Sequence, residues 1–126
     1  MSKRKCTEMR GATFILVPWK WETIVLVGGC EHQVDGFVAQ FDMPSCGTVG
    51  CSMGHTFIYA GQPIVMWVKS LKHIPELCHE VIHVVYGALE ARGMTHCESS
   101  EEAYAYTAEA FLKQILECKK WRTVRV

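Results

Sequence analysis

The chain has no surplus of either charge: 13 lysines and arginines stand against 13 aspartates and glutamates. A nucleic-acid groove or a site for acidic substrates would need an excess of one sign, so neither is expected. It also lacks any apolar run near the roughly 20 residues that a membrane helix requires. The first such run, residues 12–17, ends at Pro18-Trp19-Lys20 without a small-residue cleavage pattern. Neither a membrane span nor a signal peptide is therefore expected. There is no internal repeat, low-complexity tract or linker, and 126 residues suffice for one domain, 1–126. Its basic start reads as a solvated tail over residues 1–10. The seven cysteines are an odd number, whereas a secreted disulfide scaffold favours even pairing. Free thiols survive best in a reducing compartment, so a cytoplasmic protein is expected.

Two halves with different periods are present. Residues 13–17 and 23–27 are β-branched and apolar and read as strands, separated by Pro18-Trp19-Lys20-Trp21 and closed by Gly28-Gly29. Residues 37–41 are a weaker third strand. Residues 56–60 and Ile64–Val68 flank Gly61-Gln62-Pro63, which has the composition of a hairpin turn. The stretch 42–54 is rich in Gly, Ser, Pro and Cys and reads as a loop. From residue 74 to 92, Leu77, Cys78, Val81, Val84, Val85, Ala88 and Leu89 recur at helical spacing, with Pro75 in the first turn and Gly93 as the stop. A second helix is expected over 100–119, with Tyr104, Ala108, Phe111, Leu112 and Ile115 as its stripe. Strands followed by two helices make an α+β domain.

The chemistry concentrates in His79-Glu80-Val81-Ile82-His83. On a helix, residues four apart lie on one face roughly 6 Å from each other, so two imidazoles can face one ion. Neutral imidazole nitrogen is a good ligand for Zn2+. Glu80 sits beside the ligands, where a carboxylate can take a proton from a water activated by the metal. That arrangement supports hydrolysis of an amide bond. The alternative is an ordinary helix that carries two histidines.

A catalytic zinc needs a third protein ligand. His96, Cys97, Glu98, Glu101 and Glu102 follow the Gly93 stop. No histidine stands at the short fixed distance after His83 that the metzincin pattern requires. A glutamate at the start of the second helix fits better, because a short loop turns that helix back on the first. Helical periodicity puts Glu101 nearer the apolar stripe than Glu102. Ser99 and Glu102 also have the spacing of a capping box.

His79-Glu80-Val81-Ile82-His83 followed by Glu102-Ala103-Tyr104-Ala105-Tyr106 resembles the HExxH…E signature of small gluzincin-type metallopeptidases. It is particularly similar to compact HExxH proteins encoded by bacteriophages and prophages, whose second helix carries Glu-x-x-Ala-Tyr. The resemblance spans about residues 64–116. It implies a minimal zincin-like core, with His79, His83 and Glu102 as metal ligands, Glu80 as general base and a peptide or protein as substrate. It further implies an edge strand, Ile64–Val68, that pairs with the substrate. Tyr106 would be a core residue or would steady an oxyanion.

Other constellations are weaker. Cys46, Cys51 and His55, with Cys30 or His32, could form a structural zinc knuckle, but the spacing is loose. Cys78 and His79 are adjacent on a helix and cannot face each other. Cys97 beside His96 lies in a loop where nothing orients the pair. Trp19, Trp21, Trp67 and Trp121 read as core and hairpin residues, because base stacking without a basic surplus is not expected. The expectation is a zinc-dependent peptidase. Its rival is a non-enzymatic interaction module with a structural or absent metal.

Overall fold

In a computed structural model of the protein, which describes residues 7–16, 20–45 and 53–125, the strand-forming half starts as a hairpin. β1 (Arg10–Leu16) pairs antiparallel with β2 (Trp21–Val27), from Arg10 opposite Val27 to Leu16 opposite Trp21. The tail expected over residues 1–10 does not extend to its last two residues. Met9 is buried and its carbonyl accepts from the Val124 amide, and Arg10 opens β1.

The segment expected as a third strand is a helix, α1 (Glu31–Ala39). Val34, Phe37, Val38 and Phe41 recur at spacings of three, one and three, which is a helical face. Gln33 closes the start: its Oε1 accepts from the Cys30 amide at 2.9 Å. Val34 and Val38 are fully buried.

β3 (Gly54–Phe57) and β4 (Ile64–Val68) follow, antiparallel to each other. The connection holds Gly61 at φ +77. β4 also pairs parallel with β2, and β5 (Arg122–Thr123) adds to β1 at Arg10 and Gly11. The sheet order is β3-β4-β2-β1-β5. β4 is thus interior rather than an edge strand, which corrects the role implied for Ile64–Val68. All five of its residues are buried. Ile64, Met66 and Val68 pack toward one core, and Val65 and Trp67 toward the other. An unbroken apolar run is the mark of a strand covered on both faces. Among the described residues, the outer strand beside β4 is β3.

Two helices cover one face: α2 (Ile74–Ala91) and α3 (Glu101–Glu117), joined through a 3-10 turn at Glu98–Ser100. Their stripes, including Leu77, Val84, Leu89, Phe111 and Ile115, bury against Phe14, Leu16 and Val25. α1 covers the other face, against Leu26, Phe57 and Trp67. The layers are therefore α1, a mixed sheet, and the α2–α3 pair. This is the α+β class expected. α2 stops where predicted: Gly93 has φ +80, its amide donates to the Glu90 carbonyl, and Met94 donates to Leu89. Those two bonds are the Schellman motif, which a residue with a side chain would strain. No helix among the described residues is long and apolar enough to cross a membrane.

One polar group in this core stands alone. Thr23 of β2 is wholly buried, and its hydroxyl has no hydrogen-bond partner among the described residues. Thr23→Val keeps the shape and removes a dehydrated hydroxyl. The variant is expected to gain about 1 kcal/mol in stability. Urea unfolding checks it: the midpoint should rise with an unchanged slope.

Candidate functional site

α2 presents His79 and His83 on its exposed side, one turn apart. Their rings sit 4.8 Å apart at 77°, and the two Nε2 atoms are 3.2 Å from each other. Two nitrogens that each bind one tetrahedral zinc at the usual bond length would be about 3.3 Å apart. The imidazoles are therefore already at the spacing of two ligands on one ion.

Glu80 lies a third of a turn round the helix and points into the protein, only 4% exposed. A buried carboxylate needs donors. Thr56 of β3 supplies one: its hydroxyl donates to Glu80 Oε1 at 2.7 Å. Gly54, two residues earlier on the same strand face, leaves room for the carboxylate. A Cβ there would come within 3.0 Å of Glu80 Cγ, 3.2 Å of Oε2 and 2.9 Å of the Trp67 carbonyl oxygen. The histidines, Glu80, Thr56 and Ile58 line a cavity of about 270 Å³ between α2 and β3. His55 contributes to its wall, yet its ring packs 4.6 Å from Phe57, which belongs to the core beneath α1.

The candidate third ligands stand apart from this pair. Glu102 is exposed at the start of α3, and no side chain caps that helix, so the Ser99–Glu102 capping box is not formed. Glu101 borders a second groove, between α2 and α3, beside Ile82 and Tyr86. Among the described residues, no three His, Cys, Asp or Glu side chains gather at metal-holding distance. Tyr106 is 66% exposed, which corrects its expected place in the core. Tyr104 is the buried tyrosine of α3, and its hydroxyl donates to the Met94 carbonyl at 2.7 Å.

Of the loose knuckle, Cys46 and Cys51 lie outside the described residues. Cys30 is disulfide-bonded, so it is no thiolate ligand. Cys78, Cys97 and Cys118 are free. Cys97 is exposed and its pKa is lowered from 9.0 to about 7, chiefly by the Ser99 hydroxyl 3.1 Å away and then by Ser100. His96 is not the cause. Its ring packs on Tyr86 and Tyr104 instead.

Thr56 and Gly54 are the functional residues that sequence reasoning missed. Strand threonines and loop glycines are common, and no spacing rule links them to a helix beyond a turn. No protein-family model, curated protein or solved structure matches the chain.

Thr56→Val would leave the buried Glu80 carboxylate without its donor. A loss of about 1–3 kcal/mol is expected, with Thr56→Ser close to wild type. Chemical denaturation of the two variants reads the difference. For Cys97, the nucleophile is the thiolate. Its iodoacetamide alkylation rate should climb through pH 7 and level off by pH 8, ahead of an ordinary thiol. Ser99→Ala should move that midpoint upward, as peptide mapping across pH would record.

Proposed function

We propose that the protein is a zinc-dependent hydrolase, a peptidase in which His79, His83 and Glu102 hold Zn2+ and Glu80 is the general base. The observation that carries this reading is the 3.2 Å separation of the two Nε2 atoms beside a buried carboxylate that faces the same cavity. Two imidazoles and a carboxylate are a donor set that zinc accepts readily. When bound, the ion supplies Lewis acidity that polarises a carbonyl and acidifies water.

The chain's own residues do the rest. Glu80 takes the proton from the attacking water and passes it to the departing amine, the usual task of a general base that turns acid. Thr56 holds one carboxylate oxygen and leaves the other for the proton. Among the described residues β3 is the outer strand beside β4, and an extended peptide would add there, as in strand addition. The substrate edge implied for Ile64–Val68 thus passes to Gly54–Phe57, the strand that also carries Thr56.

Elemental mass spectrometry on tag-free protein tests the metal assignment. Close to one zinc per chain is expected in wild type and in Glu80→Gln, with loss in His83→Ala and in Glu102→Ala. Cleavage of a denatured protein such as casein should fall roughly a hundredfold or more in Glu80→Gln. Retained cleavage there would remove Glu80 from its role. Zinc-free wild type after reconstitution would favour the interaction module, which would use the β3 edge without chemistry.

A further inference from the structure

The groove between α2 and α3 is separate from the cavity that holds Glu80, and the two flank the ridge of His79 and His83. Ile82 and Tyr86 line this groove, and each is three residues beyond one of the histidines, hence its neighbour on the helix surface. Its volume is about 230 Å³, below the range of whole small-molecule sites and suited to one side chain.

Three rings line part of it: Tyr104 is buried, Tyr86 half-buried and His96 exposed. His96 lies 5.1 Å from Tyr86 and 4.7 Å from Tyr104, and the tyrosines are 4.8 Å apart. Tyr104 is fixed by its bond to the Met94 carbonyl, so the cluster is anchored rather than adaptable. The carboxylate among the lining residues is Glu101, which is exposed at the mouth. Among the described residues, no lysine or arginine lines the groove.

We propose that this groove receives a cationic side chain of the substrate, lysine or arginine, with Glu101 at its charged end and the rings of Tyr86, His96 and Tyr104 around its stem. A long basic side chain has an apolar stem to lay along Ile82 and Val85, with its charge kept at the open end. The groove would then select peptides by a basic residue near the bond to be cut. This rests on the peptidase reading, and it assigns Glu101 to specificity and Glu102 to the metal.

The test does not need hydrolysis. Nα-acetyl-lysine amide and Nα-acetyl-norleucine amide are titrated into the full chain while the ring signals of Tyr86 and His96 are followed by NMR. The lysine derivative is expected to bind a few-fold more tightly than norleucine. Glu101→Gln should erase that preference, and Glu109→Gln, a charge change elsewhere on α3, should leave it. Equal binding of the two probes would overturn the proposal and leave the peptidase reading intact. Equal weakening by both variants would also overturn it, since a diffuse field would then be the cause. Zinc loss in Glu101→Gln would overturn it by making Glu101 a ligand. Lysine binding in a protein that holds no zinc would support the groove while removing the peptidase reading.

Discussion

Every residue of β4 is out of water, and the rest of the molecule is arranged to keep it so. A strand with apolar side chains on both sides cannot stand at the rim of a sheet or face solvent with either surface. α1 closes one side and the α2–α3 pair the other. β2 and β3 take up its two rows of backbone bonds, in parallel and antiparallel pairing. The position of β3 follows from this, and with it the position of Thr56 against α2.

Burial of Glu80 is the second consequence. The helix must turn its apolar stripe, Leu77, Val81, Val84 and Ala88, toward the sheet. That rotation puts His79 and His83 outward and Glu80 at the boundary with β3. A carboxylate at such a boundary costs free energy unless it is hydrogen-bonded; the Thr56 hydroxyl supplies a bond, and Gly54 on the same strand face leaves room for its bulk. The geometry of the site is thus a by-product of packing, adjusted at two positions on one short strand.

Much of this was legible in the sequence. The strands near residues 13–17 and 23–27, the β4 run and both long helices follow from period and composition, and Gly93 marked the end of α2 through its need for a left-handed backbone. The histidine pair was legible because both residues belong to one helix, where spacing alone determines proximity. α1 was not. It has nine residues, contains Gly36, and has a cysteine at its N-cap, so the usual Ser, Thr, Asp or Asn start signal is missing although the spacing of Val34, Phe37, Val38 and Phe41 is helical. The interior place of β4 was equally hidden, because strand order depends on how the chain crosses over and not on any strand's own residues. Thr56 could not be singled out for the same reason: its partner is 24 residues away.

That separation has a consequence in time. Contacts within a helix close quickly, whereas contacts between distant segments wait for the loops that join them. His79 and His83 share a helix and can be set at ligand spacing as soon as α2 coils. Glu80 acquires its donor only when β3 has docked beside β4 and against that helix. In a newly made chain the two imidazoles would therefore be paired before the carboxylate beside them had its hydroxyl, so the two parts of the site would not form together.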